Sequence, residues 1–159
     1  MTHPVDLDVE LVAVPAVTTA VIKGAVATDH LAAFFDDSFG VLGAVLAHQQ
    51  VTSTGPAFAL YQGPVNETAV LEVGLPTDRA IEPEGSAEAG TLPAGRVARG
   101  IHAGSFDTLG GTWQRLEAWI NHQGLTPTEA FWEVYVTEPS PDMDPADLRT
   151  ELNWLLAED

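Results

Sequence analysis

Two segments of the chain decide the fold: VPAVTTAVIKGA at residues 14–25 and LPAGRVARGIHA at residues 92–103. They align over their whole length, and Pro15 falls on Pro93. Self-similarity at this separation predicts that the chain contains two copies of one structural unit.

A second pair of segments repeats in the same way. FALY at residues 58–61 aligns with WEVY at residues 132–135, so that Tyr61 falls on Tyr135. The elements expected between the matched segments also come in the same order, which is stronger support for a duplication than the short letter matches.

Each copy is expected to contain strands around one helix. Residues 5–14 alternate apolar residues with acids, the period-two pattern of a strand with one solvent-exposed face. From Thr28 to about Gln50 the apolar residues recur at helical spacing. The other expected elements are strands at 17–23, 57–62, 66–75, on both sides of Pro93, at 129–139 and at 147–156, and a second helix within 105–124.

The predicted fold is α+β, a duplicated β-α-β-β-type module with an antiparallel sheet and the helices on one face. The first half covers about residues 1–78 and the second about 91–159. Residues 79–90, rich in Pro, Gly, Glu and Ala, are expected to connect them with at most a short edge strand. A chain of 159 residues is expected to form a single domain, its halves related by a pseudo-two-fold axis.

The charge balance excludes one class of partner. The chain carries 6 Lys and Arg against 23 Asp and Glu, a formal net charge of −17. Such a surface repels phosphate backbones, so direct nucleic-acid binding is not expected. The charge favours solubility and the attraction of cations.

Composition also gives expectations about location and cofactors. The chain has no cysteine, and it begins without a basic segment or an apolar signal region, which favours a cytoplasmic protein. The apolar run GVLGAVLA at 40–47 is too short to span a bilayer. The five histidines show no metal-binding spacing, so neither a metal site nor a cofactor is expected.

One carboxylate stands out within AFWEVYVTEP at residues 130–139. Aromatic and β-branched residues surround Glu133, and such a run is typical of a buried strand. An unpaired buried carboxylate costs several kcal/mol. Glu133 is therefore expected to be exposed to water, paired, or kept for a ligand.

Strand alternation divides this run between two faces. One face carries Phe131, Glu133, Tyr135 and Thr137, and the other carries Trp132, Val134 and Val136. The second set is the more uniformly apolar, so it is expected to face the helices.

The face of Glu133 is then expected to line a ligand site. If the halves pair about a two-fold axis, Ala59 and Tyr61 of the matched strand reach the same surface, and an alanine opposite a glutamate leaves room. Aromatic walls around one carboxylate suit a flat, apolar molecule, particularly a cation. On the residues alone, an ion pair of Glu133 with an arginine is about equally favoured, and the candidates are Arg96, Arg99 and Arg149.

The two tryptophans of the second predicted helix are expected in different environments. Trp113 and Trp119 are six residues apart and cannot share one narrow helix face. We expect Trp119 in the core and Trp113 at the edge of the ligand site.

The second half of the chain resembles the GyrI-like small-molecule-binding domain, the effector-binding module of bacterial multidrug-responsive transcription regulators. The resemblance is strongest over about residues 91–156. Its parts are a Pro-Ala-Gly-Arg strand entry, a His-x-Gly-x-Phe turn, a Leu-x-x-Trp helix and an acid-x-Tyr strand. They fall here on Pro93 to Arg96, on His102, Gly104 and Phe106, on Leu116 and Trp119, and on Glu133 and Tyr135.

The resemblance implies a ligand cleft between two duplicated halves, with Glu133 as the ligand-facing carboxylate. The expected ligand-binding residues are Glu133, Phe131, Tyr135, Tyr61, Ala59, Trp113 and His102. His102, in the turn motif, is expected at the helix entry or at the edge of the cleft. In the first half, Ala59 stands where the motif has an acid.

The resemblance also implies three functions. The first is a standalone domain that binds hydrophobic, cationic small molecules in drug or toxin sensing or sequestration. The second is a hydrolase of strained cyclopropane-type toxins in which Glu133 is the catalytic carboxylate. The third is a gyrase-inhibitor-like interaction protein. For all three, a monomer or homodimer is expected, and the candidate protein partners are the transcription machinery and gyrase.

Overall fold

The computed structural model describes residues 8–63, 67–105, 108–137 and 142–157, which form eight strands and two α-helices. The strands are β1 (Glu10–Val14), β2 (Val17–Ala27), β3 (Phe58–Gln62), β4 (Thr68–Pro76), β5 (Ala87–Leu92), β6 (Gly95–Ala103), β7 (Pro127–Tyr135) and β8 (Arg149–Leu156). The helices are α1 (Leu31–Gln49) and α2 (Leu109–His122). The strand pairing is antiparallel, so the predicted α+β class is confirmed.

The elements form two compact units of the same design. In the first unit the strand order is β3-β4-β2-β5, with α1 following β2. In the second unit the order is β7-β8-β6-β1, with α2 following β6. The two orders coincide when β3, β4, β2 and α1 are matched with β7, β8, β6 and α2, as the repeated sequence predicts.

The outermost strand of each unit comes from the other predicted half of the chain. β1 pairs with β6, and β5 pairs with β2. The units therefore divide the chain differently from the predicted halves, because β1 joins the second unit and β5, which begins inside the predicted connector, joins the first. Pro15 and Pro93 stand between the strands concerned, and a proline without a backbone N–H interrupts a ladder.

Most of the predicted elements lie close to where the patterns indicate them. A single turn of 3-10 helix at Thr28–His30 leads into α1, which ends where Gln50 takes the left-handed conformation with φ of 59°. β1 begins at Glu10, and the residues before position 8 in its predicted range lie outside the described residues.

The core of the second unit lies between α2 and the face of the sheet below it. Its buried residues are Ala98, Leu109, Leu116, Ile120, Leu152 and Leu156, and Trp113, Trp119 and Trp154 pack against them. The buried helix positions Leu109, Thr112, Leu116 and Ile120 recur every three or four residues. This face also carries the candidate site.

A loop holds the C-terminal end of α1 in the first unit. The Gln49 side chain donates from Nε2 to the Glu82 carbonyl at 2.8 Å and accepts from the Glu82 backbone N–H at 2.8 Å. Arg79 donates to the carbonyls of Gln49 and Gln50. Carbonyls at the end of a helix have no partner within the helix, so these bonds fix α1 against the loop.

Among the described residues, one helical stretch is long and apolar enough to span a membrane, at Thr28–Gln49. Its mean hydropathy over 18 residues is 1.3. A single helix of this kind is weak evidence for a membrane span, because core helices of soluble proteins meet the same criterion. The predicted lack of a membrane association stays a prediction.

Candidate functional site

A bulge in β7 sets the position of the candidate site. The register between β7 and β8 shifts between Pro127 and Phe131, after which Phe131 lies opposite Trp154. The Thr128 hydroxyl donates to the Leu155 carbonyl at 2.8 Å, and the Trp154 indole donates to the Thr128 carbonyl at 2.8 Å. Bulges re-aim side chains in this way at many functional sites.

The site is built around the Glu133 carboxylate, which is 6% exposed. The Trp113 indole on α2 donates from Nε1 to Oε2 at 2.9 Å. The Tyr135 hydroxyl, two residues along the same strand, donates to Oε1 at 2.8 Å. Each carboxylate oxygen thus accepts one hydrogen bond from a neutral donor.

Three aromatic rings pack together beside the carboxylate. The Trp113 ring meets Phe131 edge-on at 5.0 Å between centroids and Trp154 at 5.6 Å. The Phe131 and Trp154 rings lie 5.0 Å apart. All three side chains are half-buried, so the cluster covers Glu133 and keeps a partly exposed outer surface.

The surroundings of Glu133 favour its neutral form. Burial raises the pKa of this carboxyl above its ordinary value, and the hydrogen bonds from Trp113 and Tyr135 offset part of that rise. A carboxyl with a raised pKa beside an apolar surface can bind a cation or transfer a proton.

The prediction that the apolar face of β7 meets the helices is wrong. Trp113 on α2 bonds to Glu133, so α2 covers the face of Phe131, Glu133 and Tyr135. Trp132 lies on the opposite face and is also buried, at 4% exposed. The more apolar face was assigned to the helix in error, because Glu133 can be buried under α2 when Trp113 and Tyr135 donate hydrogen bonds to it.

The alternative of an ion pair between Glu133 and an arginine is not supported. In the described parts of the chain, no arginine forms a salt bridge with Glu133. Arg99 instead donates from Nε to Oδ1 of Asn153 at 2.8 Å, and the same nitrogen lies 3.3 Å from Oε1 of Glu151. Arg149 donates to the carbonyls of Ala146 and Leu148.

His102 lies in a separate network at the entry to α2. Its Nδ1 lies 2.6 Å from the Thr112 hydroxyl and its Nε2 lies 2.8 Å from the Ser105 carbonyl. Because a carbonyl only accepts, Nε2 donates to Ser105. Of its two predicted positions, His102 occupies the helix entry, 4% exposed. Phe106 of the same motif lies outside the described residues.

The structure thus brings Glu133, Phe131, Tyr135 and Trp113 together in one unit. Ala59 and Tyr61 belong to β3 of the other unit, where both are buried. Their contribution to a shared ligand cleft stays a prediction. Trp119 packs against the core cluster but is half-buried, as Trp113 is.

Sequence reasoning missed two residues of the site. Trp154 completes the aromatic cluster, and strand alternation from Leu152 would have found it, because both lie on the helix-covered face of β8. Thr128 holds the bulge, for which the sequence carries no clear signal. Among the described residues, no cluster of three or more His, Asp or Glu could hold a metal ion.

Nearly all of the chain matches one family. The family model of the GyrI-like small molecule binding domain matches residues 7–156. The chain belongs to this family. A comparison with curated proteins found no match.

Solved structures share this GyrI-like fold at low sequence identity. The C-terminal domain of EcmrR is 19% identical, with a TM-score of 0.85 over 97% of this chain and 99% of that one. In the EcmrR–DNA complex the identity is 18% and the TM-score 0.83, over 96% of this chain. The chain spans 58% of the length of that EcmrR chain.

Two further solved structures share the fold. SAV2435, solved bound to tetraphenylphosphonium, is 15% identical, with a TM-score of 0.69 over 94% of each chain. A protein from Listeria innocua described as a hydrolase is 11% identical, with a TM-score of 0.68 over 94% of this chain and 91% of that one. At these identities the likeness establishes a shared fold.

Proposed function

We propose that this GyrI-like domain binds hydrophobic, cationic small molecules against Glu133, in sensing or sequestration. The observation that carries the proposal is a buried carboxylate whose partners are the neutral donors Trp113 and Tyr135. A structural carboxylate at this depth is ordinarily paired with a basic side chain. Among the described residues no basic side chain forms an ion pair with Glu133, and a cationic ligand would supply that positive charge.

The aromatic cluster suits the same class of ligand. Indole and phenyl faces attract cations and also bury the apolar body of an organic ion. Trp113, Phe131 and Trp154 supply three such rings within 6 Å of one another. A cation placed among them would meet both the ring faces and the negative charge of Glu133.

Binding at this carboxylate requires the site to open. Glu133 is buried, and the indole of Trp113 lies over one of its oxygens. A ligand would displace that indole and replace its hydrogen bond by a direct charge interaction. The partly exposed outer surface of the aromatic cluster is the first surface the ligand would meet.

The test is calorimetric titration with tetraphenylphosphonium, the cation bound in the SAV2435 structure. Wild type is expected to bind saturably, and Glu133→Gln to bind at least about tenfold more weakly, because one charge interaction in a shielded site is lost. Unchanged affinity of the Glu133→Gln variant would contradict the proposal.

Glu129→Gln provides the matched control. Glu129 lies on the same strand and is exposed, so its substitution changes the net charge equally without touching the site. We expect wild-type affinity for this variant. Equal weakening by both substitutions would indicate attraction by the overall charge of −17 in place of a site at Glu133.

A second candidate function is hydrolysis of a strained small electrophile. Two points favour it: burial raises the pKa of the Glu133 carboxyl, which suits a general acid or base, and the Listeria innocua protein of the same fold is described as a hydrolase. Mass spectrometry of cyclopropane-containing compounds incubated with the protein tests it. Turnover abolished by Glu133→Gln would support hydrolysis, and unaltered compounds would argue against it.

The cytoplasmic location, the standalone state, the monomeric or homodimeric state and a gyrase or transcription partner stay predictions from the sequence.

A further inference from the structure

The hydroxyl of Thr150 is buried without a hydrogen-bond partner beside the Glu133 site. Thr150 is 0% exposed, and its Oγ1 has no partner within the described residues. It lies in β8 directly opposite Tyr135 in β7 and opposite His102 in β6. Its side chain therefore lies between theirs, on the face that α2 covers.

The polar groups on either side of Thr150 bond elsewhere. The Tyr135 hydroxyl donates to Glu133, and the two nitrogens of His102 bond to Thr112 and Ser105. A buried hydroxyl without a partner destabilises a fold relative to the methyl group of an isosteric valine. The position thus carries a polar group that its own surroundings do not use.

The other unit of the chain shows that the fold does not need this hydroxyl. Tyr61 matches Tyr135, and its partner across the β3–β4 pair is Leu71, which is 3% exposed. Leu71 is also opposite Gly24 in β2, as Thr150 is opposite His102. The same position in the same strand order therefore accepts an apolar side chain.

The distance of Thr150 from the carboxylate suits one ligand group that contacts both. Glu133 lies opposite Leu152, so Thr150 is its diagonal neighbour across the β7–β8 pair. Diagonal neighbours on one face lie within about 7–8 Å, and their side-chain oxygens can approach one small group between them. A cationic group there would balance the negative charge of Glu133. It would also donate hydrogen bonds to a carboxylate oxygen of Glu133 and to the hydroxyl oxygen of Thr150.

We propose that Thr150 selects cations that carry an N–H, namely protonated amines on an apolar body, over quaternary ions without one. This inference rests on the proposed function of the Glu133 site. A primary ammonium can donate to a free lone pair of the carboxylate and to the Thr150 oxygen at once. A quaternary ammonium satisfies the charge of Glu133 but leaves the Thr150 hydroxyl unpaired.

The test compares two matched probes by calorimetry at pH 7: 1-naphthylmethylammonium and its N,N,N-trimethyl derivative. Thr150→Val is expected to weaken binding of the primary ammonium about tenfold, the factor for one hydrogen bond to a charged group. Affinity for the trimethyl ion should stay within about twofold, since it donates no hydrogen bond there. Thr150→Ser, which keeps the hydroxyl, is expected to retain the preference for the primary ammonium.

The outcomes separate this inference from the proposed function. Glu133→Gln should weaken both probes, whereas Thr150→Val should weaken only the primary ammonium. Wild type and Thr150→Val could bind the primary ammonium with equal affinity while both probes still require Glu133. That result would overturn the role of Thr150 and leave the proposed function standing. Binding that is independent of Glu133 would overturn the cation site and the selectivity together. Melting curves of each variant check that it is folded.

Discussion

The two units of the chain have one strand order but differ in the residues under their helices. Four positions that match between them are apolar in the first unit and form polar interactions or carry polar groups in the second. The pairs are Ala59 and Glu133, Leu71 and Thr150, Gly24 and His102, and Phe39 and Trp113. The first unit shows that the strand order forms without polar groups at these four positions.

The match between the helices follows from their buried residues. Ser38, Leu42 and Leu46 are buried in α1 at the same spacing as Thr112, Leu116 and Ile120 in α2. With these positions superposed, Phe39 falls on Trp113. A phenyl ring fills much of the space of an indole but has no N–H to donate.

The units also hold their helices differently. In the first, the side chain and the backbone carbonyl of Gln49, at the C-terminal end of α1, bond to the loop at 79–84. In the second, two side chains of α2 hydrogen-bond to the sheet: Thr112 bonds to His102, and Trp113 donates to Glu133. A ligand at Glu133 would therefore act directly on a bond that holds α2.

Placing a carboxylate in the first unit is the strongest test of the comparison. Ala59 is fully buried, so Ala59→Glu would bury a charge without the indole donor that Glu133 has. We expect a loss of about 3–5 kcal/mol in the free energy of unfolding, the cost of an uncompensated buried charge. Urea denaturation measures it.

Adding the missing donor should recover part of that loss. The double variant Ala59→Glu with Phe39→Trp is expected to regain about 1–2 kcal/mol, because an indole N–H can then bond to the carboxylate. A double variant no more stable than Ala59→Glu alone would break the proposed equivalence of Phe39 and Trp113.

Removing the donor from the second unit should have the next largest effect. Trp113→Phe leaves Glu133 with the Tyr135 hydroxyl and is expected to cost about 1.5–3 kcal/mol, the range for a hydrogen bond to a charged group. Trp119→Phe, in the same helix and also half-buried, is the control, with a cost below about 1 kcal/mol. Equal losses in urea denaturation would indicate that Trp113 contributes packing alone.

Releasing α1 should have a smaller effect. Gln49→Ala removes two hydrogen bonds to the Glu82 backbone and is expected to cost about 1–2 kcal/mol. Hydrogen exchange of the amides in the last turn of α1 should accelerate, while exchange in α2 stays unchanged. Faster exchange throughout both helices would show that the two units do not hold their helices independently.

The pH dependence of stability should distinguish Glu133 from its uncharged replacement. Burial raises the pKa of Glu133 above its ordinary value of 4.5, so the folded protein keeps this proton to higher pH than the unfolded chain. The melting temperature of wild type should fall relative to Glu133→Gln as the pH rises from about 4.5 through the raised pKa, and the two should converge at lower pH. A relative gain for wild type over that range would contradict a raised pKa.

Much of the fold could be predicted because the duplication is visible as repeated segments of the sequence. The alignment of Pro15 with Pro93 and of Tyr61 with Tyr135 indicates two equivalent units before any contact is known. The pairing of β1 with β6 could not be predicted from this repeat. The alternation of apolar and polar residues in β1 is compatible with pairing to a strand of either unit. Only the tertiary structure determines the sheet that each edge strand joins.

The candidate site could be predicted in its central residue but not in its surroundings. Glu133 is conspicuous because a carboxylate within an aromatic strand requires an explanation. Its donors come from a helix twenty residues earlier and from the same strand, a combination that periodicity does not specify. Thr150 gives no signal in the sequence, because a threonine in a strand is ordinary until its hydroxyl is found buried and unpaired.

The measurement that tests the central claim most directly is a carbon-13 NMR titration of the Glu133 carboxyl, with and without saturating tetraphenylphosphonium. The Glu133→Gln variant assigns the resonance. A ligand-facing carboxylate should show a raised pKa in the free protein and a lower one with the cation bound, because the positive charge stabilises the ionised form. The same pKa in the presence and absence of the bound cation would show that the ligand does not reach Glu133.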